Sequence, residues 1–220
     1  SKGYATRPSF SVRQIGELIA FCKGIKPDVK IMVDNCYGEF VETIEPSDLG
    51  ADMVVGSLIK NPGGGLAPIG GYICGTKECV DRCAYRLSAP GLGQEVGANL
   101  GLMPALYQGL FLSPTVVSGA LKGAVFAANI YEKLGFACVP NATESRHDII
   151  QAVTLGSAEA MVAFCKGGAG GGVRHLPSLY GGADPSGCGA AQVLAVATAP
   201  WHRLVHRLSR TGQGDLRQHG

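Results

Sequence analysis

Apolar and polar positions near the start of the chain recur with a helical period. Ser11 is a candidate N-cap, and apolar side chains follow it at spacings of three and four up to about Lys23. This pattern predicts an amphipathic helix that ends near Gly24 and Pro27. Short apolar runs then predict strands at 29–33, 51–57 and 70–74, and the residues 77–87 predict a second helix. Helices and strands in this order are typical of an α/β domain.

The residues beyond the second helix predict a helical linker and then a smaller unit. The segment 89–93 is rich in proline and glycine and ends the second helix, and the segment 96–110 predicts a helix buried on several sides. Ser113 and Pro114 fit the cap and first position of a separate helix that runs to about Leu134. Further strands are predicted at 136–139 and 149–155, and a further helix at 158–166.

The composition is that of a foldable chain without a strong charge bias. Its 220 residues, 46% of them hydrophobic, can build the core of one large or two small domains. The net charge of +2 is not gathered into one stripe over positions 1–166, so nucleic acid is a poor candidate partner. We find no apolar run near the roughly 20 residues of a membrane span and no secretory signal, which predicts a cytoplasmic protein without a membrane partner. The eight irregularly spaced cysteines predict reduced thiols.

The two ends of the chain differ from its middle. The sequence starts at Ser1 without a methionine and leads almost directly into the first helix, so we expect a fragment that has lost its beginning. From Gly167 onward the chain contains no lysine, but five arginines and four of the five histidines. We interpret 167–220 as an atypical Gly- and Arg-rich tail, either frameshifted or disordered.

Candidate chemistry centres on Lys60, which ends an apolar run 26 residues beyond Asp34. Buried lysines are rare unless they have a chemical role or a fixed partner, and an amine in an apolar setting can become a nucleophile. Asp34 ends another apolar run, and Ser57 precedes the lysine by three positions. A lysine, a carboxylate and a hydroxyl match the needs of pyridoxal phosphate for an imine, a pyridinium partner and a phosphate donor. The alternative is a lysine that reaches solvent from a strand end and an aspartate that caps a loop.

Longer stretches around these residues resemble a known family. They are Ser-Lys-Gly-Tyr at 1–4, Asp-Asn-Cys-Tyr-Gly-Glu-Phe at 34–40, Gly-Ser-Leu-Ile-Lys-Asn-Pro-Gly-Gly-Gly at 56–65 and Ala-Leu-Lys-Gly-Ala at 120–124. They resemble the methionine gamma-lyase-like, or aluminium resistance, branch of the pyridoxal phosphate enzymes of cysteine and methionine metabolism. The likeness covers about 1–166.

The resemblance implies a type I, aspartate aminotransferase-like α/β fold with a three-layer αβα large domain. Residues 1–112 would be the C-terminal part of that cofactor-binding domain, and 113–166 would be the linking helix and the start of a small α/β domain. Intact relatives would cleave a carbon–sulfur bond of a methionine-, cystathionine- or cysteine-type amino acid, and would assemble as homo-dimers or tetramers. The alternative is that this chain is a truncated, catalytically inactive member of the family.

The resemblance also assigns roles to particular residues. Lys60 would form the Schiff base and move protons, Asp34 would pair with the pyridinium, and Ser57 would hold the phosphate. Ile59 departs from the threonine of better-known lyases, so phosphate contacts must come partly from elsewhere, with Gly63 as the first candidate. Backbone amides of a glycine run can hold an anion, although the run fits a simple turn equally well. Tyr4 would contact the cofactor.

For several other polar residues, a functional and a structural role are both possible interpretations. Arg7 fits a carboxylate clamp or a solvated side chain, and Asn35, Tyr37 and Glu39 fit either support of the site or a structural loop. No metal site is expected. For three cysteines we expect burial in helices: Cys74, Cys79 and Cys83. We assign no role to three histidines: His175, His202 and His206. A dinucleotide-binding module ranks low, because the glycine run lacks the G-x-G-x-x-G spacing.

Overall fold

A computed structural model describes residues 7–87, 90–95, 97, 99–157, 159–161 and 163–164, together with the backbone of two later strands. The helices are α1 (Val12–Ile25), α2 (Lys77–Leu87) and α3 (Met103–Lys133). The strands are β1 (Met32–Asp34), β2 (Met53–Ser57), β3 (Gly71–Gly75), β4 (Ala137–Val139), β5 (Ile150–Thr154), β6 (Ser178–Gly182) and β7 (Val193–Ala197). Short 3-10 turns occupy Pro46–Leu49 and Asn61–Gly63. The predicted mixed α/β class is confirmed.

The first sheet has the strand order β1-β2-β3 and carries α1 on one face. β1 and β2 are parallel with Asp34 opposite Val55, whereas β2 and β3 are antiparallel with Gly56 opposite Tyr72. α1 begins at the predicted N-cap. Ser11 accepts a hydrogen bond from Gln14 N at 3.1 Å, and the Gln14 side chain accepts one from Ser11 N at 2.8 Å. This capping box fixes the start of the helix.

α3 corrects two sequence predictions. The segments 96–110 and 113–134 were expected to form separate helices, but one continuous helix of 31 residues runs from Met103 to Lys133 with Pro114 inside it. Ser113 is therefore not an N-cap; its hydroxyl donates to Gly109 O at 2.7 Å within the helix. Proline removes one helical N–H donor, and packing of α3 against its neighbours outweighs that local cost. The predicted division at 112/113 falls within this helix and stays a prediction.

α3 is also, by length and composition alone, long and apolar enough to cross a membrane, contrary to our reading of the sequence. One face of it is buried in the protein instead. Val117 and Ala120 pack with Tyr37, Ile149 and Ile150 in a single cluster. Within its most apolar window 22% of the residues are buried, and one helix of this length and composition is weak evidence of a membrane span.

The second sheet has the strand order β4-β5-β7-β6, and its neighbouring strands are antiparallel. β4 and β5 confirm the strands predicted at 136–139 and 149–155, and Ile150 to Val153 of β5 are buried. β6 and β7 lie within 167–220. Of the helix predicted at 158–166, the described residues 159–161 and 163–164 are helical. The remaining tail residues lie outside the described residues, so the interpretation of the tail stays a prediction.

Candidate active site

The residues predicted to carry chemistry lie at one end of the parallel strands β1 and β2. Asp34 ends β1 beside Val55, and Ser57 ends β2 two residues further along. The chain then turns: Lys60 N donates to Ser57 O at 3.2 Å, and Gly63 N donates to Lys60 O at 3.0 Å. We call residues 57–65 the Lys60 turn. Parallel strands place their carboxyl ends at one edge of a sheet, and the structure brings together the three residues that the sequence singled out.

Lys60 is partly buried, and its ammonium faces an aromatic ring. Its Nζ lies 4.5 Å from the centroid of the Tyr37 ring, within the range of a cation–π contact. Tyr37 is 6% exposed and has a φ of 76°, which is unusual for a residue other than glycine. Its carbonyl accepts a hydrogen bond from Ile149 N at 3.2 Å, and its side chain packs in the α3 cluster. Tyr37 is therefore held in a strained conformation over the lysine by contacts outside the loop.

The electrostatics of the site favour an anionic Asp34. Burial opposes its charged form, but hydrogen bonds from Cys36, including one from the backbone N at 3.0 Å, and the positive charge of Lys60 hold the pKa of the carboxyl below its usual value. Burial, and after it the hydrogen bond to Asp34, raises the pKa of the Cys36 thiol. Asp34 is consequently charged at neutral pH beside Lys60, while Cys36 stays a thiol.

The packing of Gly63 and Gly64 favours the interpretation that the glycine run is a simple turn. A Cβ on Gly63 would overlap Leu58 O, and a Cβ on Gly64 would overlap Gly109 O of α3. The Gly63 amide already donates to Lys60 O, and the Gly64 amide donates to Asn61 O at 3.1 Å. Neither amide is directed at an outside anion. The assignment of Gly63 to a phosphate therefore gains no support from its position.

The other candidate residues include some that the structure does not describe. Tyr4 lies outside the described residues, as do the histidines of the tail. Arg7 is exposed; its guanidinium lies 5.2 Å from the centroid of the Phe10 ring and donates to Pro8 O at 3.1 Å. Cys79 is buried on α2 as expected, whereas Cys74 is exposed on β3. No group of metal-binding side chains occurs within the part of the chain that the structure describes.

The sequence left the importance of Glu39 open and missed its partners. Glu39 is 4% exposed, and its Oε1 accepts a hydrogen bond from Tyr72 Oη at 2.9 Å. Its backbone carbonyl accepts one from Asn61 Nδ2 at 3.0 Å, and Asn61 directly follows Lys60. Burial raises the pKa of the Glu39 carboxyl to about 7. The side chain borders a largely apolar cavity of about 330 Å³ whose walls include Leu58, Pro62, Val54 and Leu110.

Comparison with known proteins finds relatives in sequence and in fold. The Bacillus subtilis (strain 168) protein YnbB, itself uncharacterised, is 53% identical over 166 residues, which is 76% of this chain and 39% of that protein. A solved structure from Listeria monocytogenes, described as a proposed cystathionine beta-lyase involved in aluminium resistance, is 44% identical with a TM-score of 0.77. It matches 92% of this chain and 50% of its own. A carbon–sulfur lyase involved in aluminium resistance from Clostridium novyi is 37% identical with a TM-score of 0.77, over 89% and 52% of the two chains.

More distant structures share the fold alone. The aspartate aminotransferase of Thermus thermophilus is 16% identical with a TM-score of 0.55, covering 86% of this chain and 55% of that one. The chain thus spans about half of the solved relatives and less of YnbB. The sequence profile of the family described as methionine gamma-lyase matches residues 1–171. This match covers most of the chain and contains Asp34, Ser57 and Lys60, and the chain belongs to the methionine gamma-lyase family.

Proposed function

We propose that this chain carries the pyridoxal phosphate site of a carbon–sulfur lyase that acts on a sulfur amino acid. The observation that carries the proposal is the meeting of Asp34, Ser57 and Lys60 at one end of β1 and β2, with Asp34 anionic beside the lysine. The names of the Listeria and Clostridium relatives support the type of reaction. A methionine-, cystathionine- or cysteine-type substrate and assembly as a homo-oligomer are parts of the same proposal.

The donor set fits the cofactor in kind. Lys60 Nζ would hold it covalently, the Asp34 carboxylate would face its pyridine nitrogen, and the Ser57 hydroxyl would bind its phosphate. A carboxylate whose pKa is held low suits a partner that must stay protonated. When bound, the cofactor supplies an electron-poor ring that stabilises negative charge on the substrate Cα.

The chain's own groups then divide the remaining tasks. Once the substrate amine had replaced Lys60 in the covalent bond to the cofactor, the freed Lys60 Nζ would take the proton from the substrate Cα and return a proton at a later step. This requires that Nζ stays close to the reacting carbon. The Tyr37 ring limits where that amine can move, since Nζ lies 4.5 Å from the ring centroid. Because burial and the hydrogen bond to Asp34 raise the pKa of the Cys36 thiol, Cys36 does not compete with Lys60 as a nucleophile.

Reductive trapping tests the assignment of Lys60. The purified 220-residue chain is incubated with pyridoxal phosphate, reduced with borohydride and digested for peptide mass spectrometry. We expect one pyridoxyl group on the peptide that contains Lys60, its loss in Lys60→Ala, and its retention in the matched control Lys77→Ala, whose side chain is 89% exposed. A label spread over several lysines, or one that persists at full level in Lys60→Ala, contradicts the proposal.

Substrate turnover tests the second half of the proposal. Chain that traps the cofactor on Lys60 is mixed in turn with cystathionine, methionine and cysteine, and release of a thiol or sulfide together with a keto acid is measured. We expect release from at least one of them in the wild type and none in Lys60→Ala. Trapping at Lys60 without release from any sulfur amino acid would retain the cofactor site and reject the lyase activity, and would favour the alternative of a catalytically inactive chain.

A further inference from the structure

Glu39 contacts three parts of the structure around the Lys60 turn. Its Oε1 accepts from Tyr72 on β3, and its carbonyl accepts from Asn61 in the turn itself. It also lies against β2: a Cβ on Gly56 would sit 2.5 Å from Glu39 Oε1 and 2.6 Å from Tyr72 Cε1. Because Gly56 has no side chain, the Glu39 carboxyl can approach β2 one residue before Ser57. The side chain of Glu39 thus meets β2 and β3, and its backbone carbonyl binds the residue next to Lys60.

Two buried acceptor atoms in this cluster have no hydrogen-bond donor among the described residues. They are Glu39 Oε2 and Asn61 Oδ1, on two residues that are already bonded to each other through Asn61 Nδ2 and Glu39 O. A charged carboxylate would leave Oε2 without a donor, at a cost of about 1–3 kcal/mol or more. A proton on Oε2 turns this atom into a donor.

The surroundings also disfavour a charge on Glu39. The titratable groups that line its cavity are Glu45 from the loop and Tyr72 and Cys74 from β3, and none of these is a cation. Glu45 adds negative charge and is itself occupied, since its carboxylate accepts from Asn35 Nδ2 at 2.7 Å and from Phe40 N at 3.0 Å. Burial raises the pKa of Glu39 to about 7, and it outweighs the opposing hydrogen bonds from Tyr72 and from the backbone of Glu39 and Tyr37.

We propose that Glu39 is a positioning residue: its neutral carboxylic acid holds Tyr72 of β3, its backbone carbonyl holds Asn61, and together these bonds fix Lys60 beneath the Tyr37 ring. Ionisation of Glu39 introduces an unpaired buried charge and loosens the Lys60 turn, so the lysine is held best on the acidic side of neutrality. The consequence for the cofactor rests on the function proposed above. The effect on the turn does not depend on it.

Trapping of pyridoxal phosphate at Lys60 gives the first test. The yield in the wild type is divided by the yield in Glu39→Gln, a neutral isostere, at each pH from 6 to 8.5; this ratio removes the pH dependence common to both. If only protonated Glu39 positions the lysine, the ratio falls by up to about tenfold between pH 6 and pH 8, following a group with a pKa near 7. Glu39→Ala should give a low yield throughout. A flat ratio, or equal yields in Glu39→Ala and Glu39→Gln, overturns the proposal.

Two further variants separate positioning from a merely structural role. The hydrogen bond from Tyr72 lowers the pKa of Glu39, and the charge of Glu45 raises it. Tyr72→Phe should therefore move the midpoint of the ratio to higher pH, and Glu45→Gln should move it to lower pH. Shifts in the same direction, or no shift in either variant, contradict the proposal.

A readout without cofactor keeps the two proposals distinguishable. The Gly63 amide, bonded to Lys60 O, should exchange its hydrogen faster in the wild type than in Glu39→Gln at pH 8 and equally fast in both at pH 6. If no adduct forms at Lys60 but this difference is observed, the proposed function fails and the positioning role stands. If the adduct forms and exchange is the same in both chains at pH 8, the positioning role fails.

Discussion

Replacing Gly109 with alanine tests whether α3 fixes the Lys60 turn. At this point the helix and the turn meet backbone to backbone: a Cβ on Gly109 would overlap Gly63 O and sit 2.8 Å from the Gly63 carbonyl carbon. An ordinary contact to a carbon is about 3.4 Å or more, so the two backbones must separate by at least about 0.6 Å. Backbone cannot rotate away as a side chain can.

The magnitude follows from a matched pair of substitutions in one helix. Overpacking in a well-packed site costs about 1–3 kcal/mol, and alanine gains about 1 kcal/mol over glycine in a helix interior. Gly119 lies in the same helix and has nothing within 4 Å of an added Cβ. Gly119→Ala should stabilise the chain by about 0.5–1 kcal/mol. Because both variants share the helical gain, Gly109→Ala should be less stable than Gly119→Ala by about 1–3 kcal/mol.

Urea unfolding followed by circular dichroism measures this difference at one temperature. We expect the midpoint of Gly109→Ala to lie below that of Gly119→Ala, with similar slopes. We also expect Gly109→Ala to lower the yield of pyridoxal phosphate trapped at Lys60, because the contacting residue Gly63 is bonded to Lys60 O. Equal midpoints for the two variants would refute the close contact. A lower urea midpoint for Gly109→Ala with an unchanged trapping yield would show that the displacement at Gly63 does not reach Lys60.

Three further substitutions probe other links. Glu39→Gln should remove a pH dependence: because folding raises the pKa of Glu39 to about 7, the wild type loses stability as pH rises from about 4.5 through 7, by about 3 kcal/mol in total. Ser11→Ala should lower the free energy of unfolding by about 1 kcal/mol, since the α1 cap bond from Gln14 N is lost. Gln151→Leu should cost about 2–3 kcal/mol, because it removes the 2.6 Å partner of Arg146.

Urea unfolding measures all three, and each has a distinct outcome that contradicts it. For Glu39→Gln, the variant and the wild type should differ in slope between pH 5 and pH 8; parallel profiles would mean that Glu39 titrates normally. For Ser11→Ala, the control is Ser11→Asp, a substitution that keeps a capping side chain and should retain most of the stability. For Gln151→Leu, a loss below about 0.5 kcal/mol would mean that Arg146 finds another acceptor.

Local signals were sufficient for much of the first sheet and its helices. Ser11 and the apolar spacing after it located α1 to within two residues, and the limits of α2 were predicted as found. Caps and periodicity depend on neighbours within one turn, so they can be read without tertiary structure. The helix boundary predicted at Pro114 was wrong. α3 continues through this proline because it is held by contacts between residues distant in sequence, such as that between Gly109 and Gly64.

In the candidate site, too, residues marked by local sequence signals could be predicted, and contacts between residues distant in sequence could not. Asp34, Ser57 and Lys60 could be found because each stands at the end of an apolar run, and strand ends meet at a sheet edge. The bonds of Glu39 to Asn61 and Tyr72 join residues 22 and 33 positions apart, and no period or motif connects them. Only the raised pKa and the buried, unsatisfied oxygen of Glu39 distinguish it from an ordinary loop acid.

The Lys60 turn is held from three directions by groups other than the three proposed to hold the cofactor. Gly109 of α3 packs against the backbone of the turn, Glu39 binds Asn61 of the turn, and the Tyr37 ring lies over the lysine. Tyr37 is in turn bonded to Ile149, one residue before β5 of the second sheet. A displacement at any of these supports reaches Lys60 through one or two contacts. Variants that lose the lysine's position should therefore occur on α3 and next to β5 as well as beside the lysine, and their effects should be non-additive with Glu39→Ala because they act on one turn.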